Sequence, residues 1–200
     1  MLDTYRTLAA PSQGLYKEKG SKFLAFAYPI LQVDDVKPLL EVLKKEYFDA
    51  RHHCYAYVLG VDKSQYREVD DGEPSGTGGR PIHGQLLSKD VTNTLVVVVR
   101  YFGGVLLGAS GLANAYKAAT RDALDNATIV ERTVDASYRI SFGYEQVGEV
   151  MRVVKDKGLK PLNQRYGDVC TLDVSVRLSH AESLLKAIGQ ICQVTIAELK

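Results

Sequence analysis

Hydrophobic and polar positions alternate early in the chain and then shift to helical spacing. Gly14 to Lys19 and Lys22 to Ile30 flank a Gly20-Ser21 turn signal, which predicts a hairpin whose second arm is rich in aromatic residues. Asp34 is placed as an N-cap, and Val36, Leu39, Leu40, Leu43 and Tyr47 follow it at helical spacing, with Lys37, Lys44 and Lys45 on the opposite face. His52 to Leu59 is apolar on both faces and reads as an internal strand, with Tyr66 to Val69 as a short partner. A short helix is expected over Ile82 to Leu87. Thr94 to Arg100 is β-branched and apolar throughout, a core strand that runs directly into a second glycine-rich loop. A helix then carries Leu112, Ala115, Ala119 and Leu124 on one face, with Ser110 as its expected N-cap.

The pattern changes after about residue 130. Val134 to Phe142 alternates as a strand, and Val147, Val150, Met151 and Val154 form a helical stripe that Gly158 and Pro161 end. Strands over Lys160–Arg165 and Val169–Arg177 are joined by Gly167-Asp168. Ser179 and Glu182 make a capping box for a helix bearing Leu184, Leu185 and Ile188, and Cys192 to Leu199 closes as a strand. This β-α-β-β-α-β order is that of a ferredoxin-like split βαβ unit. Two domains are therefore expected, an α/β or α+β domain over residues 1–130 and a ferredoxin-like one over 131–200, with the boundary near Ile129 to Val134.

Composition narrows the class. In 200 residues, 46% are hydrophobic and 24% charged, the balance of a folded globular chain and not of a disordered one. The net charge is +1 and neither predicted domain is basic, which argues against strong, sequence-independent binding of DNA or RNA. Three cysteines, Cys54, Cys170 and Cys192, lie far apart with no CxxC pair, so neither a disulfide scaffold nor a zinc ribbon is expected, and a reducing cytoplasm is the natural compartment. No apolar run approaches the length that spans a bilayer, and no membrane association is expected.

Two loops are candidates for chemistry. The first, Asp70-Asp-Gly-Glu-Pro-Ser-Gly-Thr-Gly-Gly-Arg-Pro81, places Asp70, Asp71 and Glu73 beside four glycines. Carboxylates this close suit a hard cation such as magnesium, and the glycines let backbone amides approach an anion or another backbone. The alternative is a tight polar turn fixed by Pro74 and Pro81. The second loop, Tyr101-Phe-Gly-Gly-Val-Leu-Leu-Gly-Ala-Ser-Gly111, joins a buried strand to a helix N-terminus, whose free amides and dipole favour a phosphate or carboxylate. Arg100 stands beside it, with Tyr101 and Phe102 as stacking surface for a nucleotide or RNA backbone. The alternative here is tight strand–helix packing.

Nucleophilic catalysis has weaker signals. Gly108-Ala-Ser110-Gly111 misses the G-x-S-x-G frame by one residue, and Cys54 shares its strand face only with His52. No catalytic residue is assigned. His52 is a candidate ligand only through its proximity to the acidic loop. The basic residues Arg152, Lys155, Lys157, Lys160 and Arg165 near the predicted second-domain helix end are accounted for by a solvated face and the helix dipole.

Taken together, Asp70-Asp-Gly-Glu-Pro-Ser-Gly-Thr-Gly-Gly-Arg-Pro-Ile82, Val98-Val-Arg-Tyr-Phe-Gly-Gly104 and Gly108…Gly111-Leu112…Ala115-Tyr116 resemble the IMPACT/YigZ family. Ser21-Lys-Phe-Leu-Ala25 and Ala50-Arg-His-His-Cys-Tyr-Ala-Tyr57 extend the likeness over roughly residues 15 to 120. The resemblance implies a first domain like the second domain of a small-subunit ribosomal protein and the fourth domain of elongation factor G, followed by a ferredoxin-like domain. It also implies a non-catalytic, translation-associated regulator that binds the ribosome, RNA or a translation-factor protein. The binding surface would be Asp71, Gly72, Glu73, Pro74, Gly76 and Thr77 of the first loop and Arg100, Tyr101, Phe102, Gly103, Gly104, Gly108, Ser110 and Gly111 of the second, with His52 between them. Two further readings stay open: a magnesium–phosphate enzyme or small-ligand protein using Asp70, Asp71 and Glu73, and a protein–protein adaptor. The chain departs from the family at Leu106, where a lysine is usual, at Ser110, and at Asn114, where a basic residue is common. Each missing cation removes about 1–3 kcal/mol of charge-assisted contact from an anion site.

Overall fold

A computed structural model describes residues 3–199. The chain forms two compact units, one over Tyr5–Arg132 and one from Thr133 onward that also takes residues 3 and 4. In the first unit the strands are β1 (Thr4–Leu8), β2 (Ser12–Glu18), β3 (Ser21–Pro29), β4 (His52–Leu59), β5 (Gln65–Val69), β6 (Thr94–Tyr101) and β7 (Ile129–Thr133), and the helices are α1 (Val36–Glu46), α2 (Gly79–Ser88) and α3 (Gly108–Asp125). Five strands make an antiparallel sheet in the order β2-β3-β6-β4-β5, and β1 pairs with β7 in a separate two-stranded sheet.

The central strand β6 explains the layering. Its side chains alternate between faces, and both faces are covered. Val96 and Val98 join Phe23, Ala25, Cys54, Ala56 and Val58 under Ile82 and Leu86 of α2 and Leu112, Ala115, Tyr116 and Ala119 of α3. Leu95, Val97 and Val99 join Phe26, Tyr57 and Leu59 under Val36 and Leu43 of α1. The sheet therefore lies between α1 on one side and the α2–α3 pair on the other. Within that pair Gln85 meets Arg121, and one turn further along both helices Lys89 pairs with Asp125, so α2 and α3 run side by side in the same direction.

Several helix starts differ from expectation. Asp34 caps nothing; a 3-10 turn over Val33–Asp35 precedes α1, and Asp35 holds the amides of Leu31 and Gln32. Helix α2 begins three residues before the predicted Ile82. Helix α3 begins at Gly108, so Ser110 lies inside its first turn and not at the cap. Ile129 to Val134, read as a boundary, contains strand β7.

The second unit contains β8 (Asp135–Phe142), α4 (Val147–Asp156), β9 (Pro161–Arg165), β10 (Cys170–Arg177), α5 (Leu178–Gly189) and β11 (Thr195–Leu199). Its antiparallel sheet runs β11-β8-β10-β9. Inward residues such as Tyr138, Ile140, Leu172 and Val174 meet Val150, Val154, Leu184 and Ile188 of the two helices. On the sheet, Arg139 grips Asp173 through Nε at 2.7 Å and Nη2 at 2.8 Å, and this contact first, with Asn163 adding to it, holds the Asp173 pKa down at about 2. Helix α5 opens at Leu178 without a side-chain cap, and the Ser179 amide, expected in a capping box, is held by the Asp3 carboxylate at 3.0 Å. Among the described residues no helix is long and apolar enough to cross a membrane.

Candidate functional site at the two glycine-rich loops

Both loops sit at one end of the five-stranded sheet, where β4 begins and β6 ends. The first loop turns inward. The Asp70 carboxylate accepts the amides of Gly76 at 2.8 Å, Gly78 at 2.9 Å and Gly79 at 2.8 Å, and so starts α2 from eight or nine residues upstream. Burial alone would raise the Asp70 pKa, but the three amides outweigh it and hold the carboxyl below the usual aspartate range. The cradle for an anion exists, and Asp70 is the anion in it. A Cβ on Gly78 would stand 2.7 Å from Cys54 Sγ, and one on Gly79 would stand 2.5 Å from the Val69 nitrogen, so these two glycines serve close backbone packing.

The other two carboxylates go elsewhere. Asp71, in the left-handed region at φ 43°, accepts the His53 amide at 2.8 Å, while its carbonyl lies 2.9 Å from His52 Nδ1, with Gly72 against the same imidazole. Glu73 is buried and receives Arg100 Nη1 at 2.6 Å and the Tyr116 hydroxyl at 2.8 Å on the same oxygen. Pro74 accepts both the amide and the hydroxyl of the buried Thr77. Asp70, Asp71 and Glu73, expected as magnesium ligands, thus address three different partner sets. Among the described residues no cluster of three or more His, Cys, Asp or Glu side chains is arranged to hold a metal ion. The residues present do not fit the cation.

Arg100 does not stand free at the strand end. Only 7% of it is exposed; it pairs with Glu73, and its guanidinium lies 5.5 Å from the Phe23 ring centre and 5.7 Å from that of Phe102. Its strand parity, shared with Val96 and Val98, puts it beneath the helices. Tyr116 and Cys54 complete this buried network, the thiol lying 3.2 Å from the tyrosine hydroxyl and 2.8 Å from the Asp70 carbonyl. Burial drives the Tyr116 pKa far up and that of Cys54 to about 12, so both are neutral at physiological pH and the thiol is no nucleophile. Tyr116 and Cys54 were not among the expected site residues. Tyr116 lies one turn after Leu112 of the apolar stripe, a spacing that could have placed it on the buried face, but nothing local shows a carboxylate waiting there.

The second loop turns outward. Gly103 crosses the Gly20 turn so closely that a Cβ would lie 2.0 Å from the Gly20 carbonyl carbon, and its amide donates to Ser21 Oγ at 3.1 Å. Beyond that crossing, Gly104 and Gly108 adopt positive φ with open space around them, and Ser110 is exposed with Gly111 half-buried. Phe102 is 55% exposed, Val105 50% and Leu106 84%. A groove of about 650 Å³ lies alongside, lined by Asp49, Arg51, His52, Arg100, Tyr101 and Leu106. Tyr101 donates its hydroxyl to Asp49 at 2.6 Å, which is the main reason its pKa climbs to about 12. On the other side of Tyr101 and Phe102 a second hollow is bounded by Leu15, Lys17, Lys22 and Leu24. This is an apolar tip with a mixed polar rim.

Fold and site together define a mixed α/β protein with antiparallel sheets, whose two glycine-rich loops share one sheet end. The sequence profile of the Impact N-terminal domain matches residues 19–124. The chain is 33% identical over 177 residues to IMPACT family member YigZ of Escherichia coli (strain K12), covering 88% of this chain and 87% of that one. It is 31% identical over 156 residues to IMPACT family member YvyE of Bacillus subtilis (strain 168), covering 78% and 72% respectively. A crystal structure described only as a hypothetical protein superposes with a TM-score of 0.76 at 29% identity, covering 100% of this chain and 99% of that one. The chain belongs to the IMPACT family.

Proposed function

We propose that this protein is a non-catalytic, translation-associated regulator that docks a protein component of the translation apparatus on the face around its second glycine-rich loop. Family membership carries the process, as the sequence resemblance implies. The observation that carries the surface is the run of exposed apolar side chains Phe102, Val105 and Leu106 between two hollows. An aromatic and aliphatic centre with charged residues only at the rim fits a protein partner better than a phosphate backbone. Leu106, standing where the family usually has lysine, moves the chemistry further in that direction. The fold is read as a ribosomal-protein-like or elongation-factor-G-domain-four-like first domain joined to a ferredoxin-like second domain, and the compartment as the cytoplasm.

The test is sucrose-gradient co-sedimentation of the purified protein with ribosomes and separated subunits, carrying their bound factors, for the native chain and for Phe102→Ala and Leu106→Glu. Migration with one ribosomal fraction that both substitutions abolish supports the reading. A native protein that stays at the top of the gradient, or variants that migrate as the native chain does, overturns it.

A further inference from the structure

The α2–α3 pair carries a groove that the reading above leaves unused. It has a volume of about 570 Å³ and is lined by Gly76, Arg80, Gln85, Asn114, Lys117 and Arg121 among others; no carboxylate lines it, and it shares no lining residue with the second-loop groove. Arg80, Asn114, Lys117 and Arg121 are all exposed. Among the described residues neither Arg80 nor Lys117 has an ion-pair partner, and Arg121 reaches only the neutral Gln85, at 3.5 Å. Nearby cations behave otherwise: Lys89 pairs with Asp125 and Lys63 with Asp90. Asp70 answers the amides at the Gly76 end, and the stretch between Arg80, Lys117 and Arg121 carries three cations with no lining carboxylate.

We infer that this groove binds the phosphate backbone of RNA. Lys117 and Arg121 are one helical turn apart, about 6 Å along α3, and Arg80 faces them from α2, so the cations form a track and not a pocket. No aromatic side chain lines the track, so base stacking is absent and recognition is of the backbone. The net charge of +1 did not reveal it, because the carboxylates that balance the count lie elsewhere.

Fluorescence anisotropy of a labelled oligouridylate about ten nucleotides long tests this across salt. With three cations each displacing a counterion, the slope of log affinity on log salt is about −2, and affinity falls about 20-fold between about 50 and about 200 mM salt. In the Lys117→Ala, Arg121→Ala double variant the slope drops to about −0.7 and the fall to about threefold. Asn114→Arg, which adds a fourth cation to the same track, binds more tightly with a slope of about −3. Leu106→Ala changes neither, which separates this site from the proposed docking face. A native slope kept in the double variant, or RNA binding lost in Leu106→Ala, overturns the assignment. So does binding of polyglutamate without binding of the oligonucleotide, which would make the groove a seat for an acidic protein.

Discussion

The two glycine-rich loops look alike in sequence and do opposite things. The first closes on itself: Asp70 fills its amide cradle, Glu73 is buried against Arg100 and Tyr116, and Gly78 and Gly79 permit backbone contact. The second is held at its two ends, where Gly103 crosses Gly20 and where Leu107 packs on the core, and opens to solvent between them. Glycine density therefore does not distinguish a ligand cradle from a packing device. What separates them is whether a carboxylate within the loop reaches its own amides.

The sharpest way to break this contrast is at Glu73. Glu73→Ala leaves Arg100 buried without a counter-charge and should cost about 3–5 kcal/mol in urea denaturation. At Gly103 an added methyl meets the backbone of Gly20, so Gly103→Ala is expected to cost about 1–3 kcal/mol. Its neighbour is the control, since Gly104→Ala has open space and loses only the preference for positive φ, about 1 kcal/mol. Asp70→Asn keeps the shape but not the charge of the cradle, and should lose about 1–2 kcal/mol near neutral pH. The folded Asp70 pKa lies below its unfolded value, so this contribution is complete above the ordinary aspartate range and fades as pH falls through the lowered value. Acid melts of native and Asp70→Asn proteins should converge there. The smallest effect on stability belongs to Leu106→Glu, within about 0.5 kcal/mol, and it should act only on partner docking.

Much of the architecture was legible in local pattern. The strands β4 and β6, the β2–β3 hairpin and the second-unit order follow from alternation and turn residues, although the hairpin turns at Lys19-Gly20, one position before the Gly20-Ser21 signal. The β1–β7 sheet was not, because its strands are over a hundred residues apart and share no turn. In the site, the parity of Arg100 with Val96 and Val98 was visible, but a strand covered on both faces does not say which side conceals a charge. Nor does the spacing of Asp70, Asp71 and Glu73 reveal direction: each backbone turn between them sends its carboxylate to a different element. The helix starts failed for a related reason. Asp70 and Asp3 reach the amides at the starts of α2 and α5 from outside those helices, a kind of capping that no short window contains.

The crossing of Gly103 over Gly20 has an evolutionary consequence. It fixes where the second loop leaves the sheet, and Leu107 fixes where it returns, so the exposed Val105 and Leu106 between them can be rewritten without disturbing the framework beneath. Under the proposed docking role, a replacement there alters what is recognised while the scaffold stays as it is. Under that role the fold can change partners at two or three exposed positions, while the neighbouring loop, with its inward carboxylates, resists change.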